Sequence, residues 1–342
     1  MWVAMSGGVD SAVAAFMVRS EGFDVTGVTM RLPQPHECEG DDPVDSAAAV
    51  CATLGVPHLV LDAREQFAED VAGPYADAYA SGLTPNPCVW CNARVKFGWL
   101  LEQALSGGAS ALVTGHYARI ATSERRLHVA RALDAGKDQS YFLYALGQRA
   151  LVHSRFPLGT LSKEEVRAIA AREGLPAAKR PESQEACFVG AGGTRELVCA
   201  AHPESGVPGE IVDTTGAVVG THRGIASYTI GQRKGLGIGG LEAPLFVTAI
   251  DAEHNRIVVG GEADLAVTRV VATSTVPGFA DGARVDAVVR YRMTPVAARV
   301  FHGDEGLEVR FDAPVRAVAP GQSVVCYQQD LVVAGGEIAC AS

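Results

Sequence analysis

The chain has 342 residues, 48% hydrophobic and 20% charged, with a formal net charge of −10 and eight cysteines. That length exceeds one ordinary core and predicts two or three domains, and the balance of apolar to charged residues excludes a disordered or fibrous chain. No apolar run is long enough to span a bilayer, and the start lacks the basic lead and long apolar core of a signal peptide. A monomeric cytoplasmic protein with reduced thiols is expected, its cysteines serving as core residues, metal ligands or reactive groups.

A short apolar lead, Trp2-Val3-Ala4, runs into Met5-Ser6-Gly7-Gly8-Val9-Asp10-Ser11, and Val13, Ala14, Phe16, Met17 and Val18 then recur at helical spacing. A strand feeding a helix through paired glycines makes an anion site, because the free N–H groups point outward, glycine admits a phosphate and the helix dipole favours negative charge. The lysine of a Walker loop is missing and the glycine spacing does not fit the dinucleotide fingerprint. A plain tight turn is the alternative.

Asp24–Met30 reads as a buried strand, His36–Pro43 as a polar loop, Val44–Leu54 as a helix, His58–Asp62 as a strand and Arg64–Ala80 as a helix. Strands alternating with helices of these lengths imply a doubly wound parallel sheet, whose ligands sit beyond the carboxyl ends of the strands. Charge is uneven. Glu37–Asp77 carries ten acids and one base, whereas Arg125–Arg180 carries eleven bases and five acids. The second block is either a solvated face or a polyanion contact.

Thr84-Pro85-Asn86-Pro87-Cys88-Val89-Trp90-Cys91-Asn92 follows, and its prolines predict a stiff segment with a helix beginning near Arg94. That helix start, with Arg94 and Lys96, should lower the Cys91 pKa. Half a zinc site, a redox dithiol and two core cysteines are the other readings of Cys-x-x-Cys. Ala109–Thr114 reads as a strand opening onto Gly115-His116-Tyr117, and Lys137-Asp138-Gln139-Ser140 as a polar cluster in which capping explains Asp138 and Ser140. Ser162 and Glu165 match a capping box at the head of a helix ending near Gly174. Cys187, between the polar stretch from Lys179 and Gly190, Gly192 and Gly193, reads as an accessible loop thiol.

From Gly206 the pattern turns to short strands, Gly209–Asp213, Ala217–Gly220, Phe246–Ile250 and Arg256–Gly260, which predict a small β-rich middle domain. Gly235–Gly240 lacks the strand–turn–helix context of a dinucleotide loop and reads as a loop led by Arg233 and Lys234. Val285–Arg292, Ala298–Phe301, Leu307–Phe311 and Ser323–Tyr327 alternate as in a small antiparallel barrel. Domain limits of 1–200, 201–264 and 265–342 follow. Cys38, Cys51, Cys199, Cys326 and Cys340 read as structural.

Taken together, the loop Ser6–Ser11, Thr84–Asn92, Thr114–Tyr117, Lys137–Leu143, Cys187–Gly190, Gly231–Gly240, Arg290–Arg292 and Pro320–Ser323 occur in one order that resembles the bacterial tRNA-specific 2-thiouridylases, the MnmA/TrmU family, over nearly the whole chain. The resemblance implies a PP-loop ATP pyrophosphatase domain of the adenine nucleotide alpha hydrolase-like class. ATP with Mg2+ would adenylate O2 of the wobble uridine of tRNA, with lysine, glutamate and glutamine acceptors as substrates. Cys187 would carry a persulfide sulfur from a donor protein, and Cys91 would act as the second, nucleophilic thiol, leaving a Cys91–Cys187 disulfide. Ala4, Met5, Ser6, Gly7, Gly8, Val9, Asp10, Ser11, Met30 and Gly115 would line the ATP site. Asn86, Pro87 and Cys88 would meet the target base, and His116, Lys137, Asp138, Gln139, Arg290, Tyr291 and Gln322 would touch tRNA. Well-known family members have Asp in place of Cys88. Cys88, Cys91 and Cys187 would alternatively offer three thiolates to a [4Fe–4S] cluster. Another PP-loop synthetase and an RNA-binding iron–sulfur or redox module are the competing functions.

Overall fold

A computed structural model describes residues 1–33, 42–176, 187–190, 192–239, 243–274, 278–303 and 306–342. The loop expected from His36 up to residue 41, Cys38 within it, the whole Lys179–Ala186 stretch and Gly240 lie outside the described residues. The chain forms two compact units. One comprises Met1–Val71, Cys88–Phe188 and Asp330–Val332, the other Ala72–Pro87, Val189–Gln329 and Val333–Ser342.

The first unit is built on a five-stranded parallel sheet. Its strands β1 (Trp2–Ala4), β2 (Thr26–Arg31), β3 (His58–Asp62), β4 (Leu112–Val113) and a last pair at Ser154–Arg155 lie in the order β3-β2-β1-β4 and then Ser154–Arg155. The chain winds outward from β1 to β3, then returns to the other side of β1, so the strand order reverses between β1 and β4. That reversal opens a crevice at the carboxyl ends of both strands, where ligands of such sheets bind.

Helix α1 (Val9–Ser20) presses Ala12, Val13, Ala14, Ala15 and Val18 into the core beside Val3 of β1 and Val113 of β4. Helix α2 (Pro43–Leu54) has proline at its first turn, the Asp42 carboxylate accepting from the Val44 N–H at 2.8 Å, and Gly55 in the left-handed region at its end. It packs on β2 so closely that a Cβ at Gly27 would fall 2.4 Å from Cys51 Sγ. Cys51 is therefore a packing residue, and its burial raises its thiol pKa. The helix Lys163–Arg172 opens on the expected box, with Ser162 Oγ accepting from Glu165 N–H and the Glu165 carboxylate accepting from Ser162 N–H.

Two expectations need correcting here. Arg64–Ala80 is helical, but Ala68–Ala72 winds as a π turn. The helix expected near Arg94 begins at Pro87, which takes the first helical position, and runs from Pro87–Trp90 into the π-type turns of Cys91–Leu100. A hairpin of Arg119–Ser123 and Arg126–Ala130, absent from the sequence reading, turns at Glu124 and Arg125 with φ of 49° and 64°. Residues 330–332 complete it: Leu331 pairs with Ala130, and Asp330 accepts from Arg119 at 2.8 Å.

The second unit holds the middle and last β structures. Strands Phe246–Asp251, Arg256–Gly260, Gly209–Asp213 and Val218–His222 form a four-stranded sheet in that order. Six strands, Ala266–Ser274, Ala283–Val288, Val296–Gly303, Gly306–Arg316, Ser323–Gln328 and Leu331–Ala341, form a barrel that closes where the first pairs antiparallel with the last. The first and last of these were not anticipated. The strand expected over Val285–Arg292 ends at Val288, and Arg290–Arg292 form a turn in which Arg292 has φ 61°. In the same unit Ala72–Pro87 is tied by Tyr75 to Thr194 (2.9 Å), by Asp77 to His202 (2.7 Å) and by the Thr84 N–H to the Pro320 carbonyl (2.8 Å).

Candidate active site

The loop Met5–Gly8 leaves β1 at the strand-order reversal and hands the chain to α1. Gly7 is left-handed, φ 73°, as a residue without Cβ allows. Gly8 is the N-cap and has no side chain to satisfy the first amides of the helix, so they remain for a ligand. Ser11 ties the loop together: its Oγ donates to the Gly8 carbonyl at 3.0 Å, accepts from the Ser6 N–H at 3.2 Å and lies 3.3 Å from Ser6 Oγ. Met30 stands near the carboxyl end of β2, beside β1. Gly115, just past β4, approaches the first turn of α1 so closely that a Cβ there would lie 2.7 Å from both Asp10 C and Ser11 N. The sequence placed these residues on one crevice; their packing explains why position 115 is glycine.

Asp10, in the first turn of α1, accepts from Tyr117 Oη at 2.8 Å and from Lys163 Nζ at 2.8 and 2.9 Å. Lys163 is buried, its side chain 9% exposed. Neither partner was assigned a role from sequence, and only the helix-start pattern around Ser162 drew attention to that stretch.

Cys88, Cys91 and Cys187 belong to the same unit, and all three are free thiols. Cys88 and Cys91 lie three residues apart on one continuous helix, hence on one face. Cys187 is held beside the turn residue Phe188, which meets Phe67 edge-on at 5.2 Å. Although Cys88 and Cys187 keep solvent access, the protein around them dominates their ionisation. Burial pushes Cys187 up to about 11, Cys91 adding to the rise and the Lys96 ammonium opposing it. Burial likewise raises Cys88, against Lys96. The cation that faces the thiols is Lys96, which donates to Asn92 Oδ1 at 3.1 Å, while Asn92 donates to the Phe142 carbonyl at 3.1 Å. Arg94 instead lies over the Trp90 ring, 5.3 Å from its centre, and donates to the Asp70 carbonyl. The expectation that placed Cys91 at a helix start beside Arg94 is therefore corrected: Cys88 holds the early helical position.

His116 is buried in a cluster with the rings of Phe97 and Phe156, which also meet each other, and its Nδ1 lies 2.7 Å from Thr114 Oγ1. Burial, and secondarily Lys96, holds its pKa well below the usual value, so it is neutral at pH 7. Asp138 accepts from the N–H groups of Ala132 and Ser140 and from Ser140 Oγ, and Gln139 Oε1 accepts from the Tyr117 N–H at 2.9 Å. Asp138 organises its own loop, and Gln139 ties that loop to the segment after β4. In the other unit, Gln322 donates to the Thr84 carbonyl at 2.9 Å and so braces the segment carrying Asn86 and Pro87. Arg290 donates to the Arg316 carbonyl, and Arg292 lies over Tyr291 at 5.2 Å. In the basic block, Arg149, Arg155, Lys163 and Arg172 are ion-paired with Glu102, Glu21, Asp10 and Glu173.

Three family profiles cover the chain in series: the tRNA methyl transferase HUP domain over residues 1–191, the tRNA methyl transferase PRC-barrel domain over 196–261 and the aminomethyltransferase beta-barrel domain over 265–338. The tRNA-specific 2-thiouridylase MnmA of Moorella thermoacetica is 46% identical over 355 residues, covering 98% of each chain. That of Chloroflexus aurantiacus is 45% identical over 350 residues, covering 98% of this chain and 97% of its own. The chain belongs to the MnmA family. Among solved structures, the U34-tRNA thiolase NcsA from Methanococcus maripaludis, with its [4Fe-4S] cluster, is 18% identical with a TM-score of 0.36, covering 54% of this chain and 59% of that one.

The family uses ATP, and the uncapped amides at the start of α1 fit a phosphate group. The described residues do not fit a resident metal. Among them, no group of three His, Cys, Asp or Glu side chains is arranged to hold one. The cluster alternative is therefore not favoured.

Proposed function

We propose that this chain is a tRNA-uridine 2-sulfurtransferase, which uses ATP to replace O2 of the wobble uridine by sulfur. What supports it most is that the pyrophosphate loop and the thiols Cys91 and Cys187 belong to one compact unit. ATP, its Mg2+ carried on the phosphates rather than in a protein cage, occupies Ala4–Ser11, Met30 and Gly115. Uridine O2 attacks the α-phosphorus and pyrophosphate leaves, so that O2 becomes part of an AMP leaving group. The terminal sulfur of a Cys187 persulfide then adds to C2 and AMP departs. The base is now linked through that sulfur to Cys187. Cys91 thiolate attacks the Cys187 sulfur, the electron pair of the broken S–S bond stays on the base as 2-thiouridine, and a Cys91–Cys187 disulfide remains for an external dithiol to reduce.

A buried neutral His116 suits a site that must exclude water from the activated base. We assign tRNA contacts to Asn86, Pro87, Cys88, His116, Lys137, Asp138, Gln139, Arg290, Tyr291 and Gln322, and domain limits to 1–200, 201–264 and 265–342. A persulfide-bearing protein supplies the sulfur, tRNAs for lysine, glutamate and glutamine are the acceptors, and the enzyme works as a cytoplasmic monomer.

Incubation with tRNA, ATP and a persulfide donor, followed by nucleoside mass spectrometry, tests the reading. Wild type should form 2-thiouridine and Cys187→Ser none. No 2-thiouridine on any tRNA would refute it, and ATP-dependent pyrophosphate release that is then unchanged in Cys91→Ser would favour a PP-loop synthetase of another kind.

A further inference from the structure

Lys163 is a lysine whose side chain is 9% exposed, and its ammonium spans both oxygens of Asp10 at 2.8 and 2.9 Å. Burying an ammonium is costly unless a carboxylate meets it, so this pair needs a function beyond surface solubility. Three further contacts fix the geometry. Tyr117 Oη donates to Asp10 Oδ1 at 2.8 Å. The Lys163 N–H donates to Asp134 Oδ2 at 3.0 Å, and the capping box of Ser162 and Glu165 sets the start of its helix. The ammonium is therefore delivered from a rigid helix head to the first turn of α1, between the loop glycines and Ser11.

Asp10 poses an electrostatic problem. A carboxylate one turn into α1 suits the helix dipole but stands beside amides that must receive a triphosphate. At an effective dielectric near 20, one unit of like charge about 8 Å away weakens anion binding by roughly 30-fold. We infer that Lys163 is a positioning residue of the nucleotide site: it cancels the charge of Asp10 and pins the first turn of α1, so that ATP meets an electrically neutral loop. The inference rests on the proposed use of ATP and adds the residue, 153 positions from the loop, on which its charge balance depends.

Lys163→Met, Lys163→Arg and the double variant Asp10→Asn/Lys163→Met distinguish this role from a structural one. ATP binding by calorimetry and ATP-dependent pyrophosphate release in the presence of tRNA would be compared, with circular dichroism and thermal midpoints as folding controls. Lys163→Met should weaken ATP binding and raise KM for ATP at least about 10-fold, with a smaller change in kcat. Lys163→Arg should stay within about threefold of wild type, and the double variant should recover much of the affinity, because it removes both charges together. A folded Lys163→Met with wild-type KM for ATP would overturn the inference. So would a double variant no better than Lys163→Met, since that would place the ammonium on the nucleotide itself. Wild type that neither binds ATP nor releases pyrophosphate would overturn the functional reading, and this inference with it.

Discussion

Adding one carbon at Gly115 tests whether the end of β4 and the pyrophosphate loop are fitted to each other. The Cβ of Gly115→Ala would lie 2.7 Å from Asp10 C and Ser11 N and 3.0 Å from Asp10 O, all backbone atoms that no rotamer change can move aside. Relief to an ordinary contact needs a displacement of about 0.7 Å between β4 and the first turn of α1. Overpacking of this kind costs about 1–3 kcal/mol, or roughly 2–12 °C in the midpoint of a unit of this size. In the proposed mechanism the displaced turn carries the amides for the phosphates, and misplacement near 1 Å can cost up to ~100-fold in catalysis. Pyrophosphate release as a function of ATP concentration, with thermal scans alongside, should therefore show a 10- to 100-fold loss of kcat/KM, roughly, together with a lowered midpoint. Gly8→Ala is the control: its Cβ would stand at an ordinary 3.4 Å from Ser6 Oγ, so stability should hold while ATP binding falls. A Gly115→Ala enzyme with wild-type midpoint and kcat/KM would refute the reasoning.

Three further outcomes follow from the ionisable groups. Iodoacetamide labelling of Cys187 should rise with pH toward about 11, and Lys96→Met should slow labelling at any fixed pH because the cation that favours the thiolate is gone. Cys88→Asp should keep or raise 2-thiouridine formation by nucleoside analysis, since a carboxylate is ionised at neutral pH and a thiol raised by burial is not. Thermal midpoints against pH should separate two histidines of opposite sign. The pKa of His202 is raised chiefly by Asp77 and then Glu204, so its contribution is present below the unfolded value near 6.5 and lost as pH rises through the folded value; His202→Gln should flatten that alkaline limb. The pKa of His116 is lowered by burial, so stability is full above 6.5 and falls as the pH drops below it.

Local chemistry made much of this legible. The strands at His58–Asp62 and Gly209–Asp213 have the limits read from sequence, and the Ser162–Glu165 box is present, because each depends on residues a few positions apart. Pro87 misled for a physical reason: proline forbids a helix interior but favours its first position, and the neighbouring residues do not say which applies. The Val285 strand was drawn too long because Arg290–Arg292 continue the alternation, while the reversal there is carried by a positive φ at an arginine. The closing barrel strands, the hairpin after Arg119 and the Lys163–Asp10 pair depend on partners far along the chain. No spacing rule announces those.

The three residues Asp330–Val332 carry a consequence for how the enzyme is made. They belong to the first unit, where Asp330 accepts from Arg119 and from the Arg131 N–H, and His128 Nδ1 lies 3.1 Å from the Val332 carbonyl. During synthesis the hairpin gains this edge only after the intervening chain, 204 positions from His128 to Val332, has been made. A chain interrupted before residue 330 lacks the partners that Arg119 and the Arg131 N–H find there. Completion of this unit is thereby tied to synthesis of the β structures that lie between its pieces in the sequence.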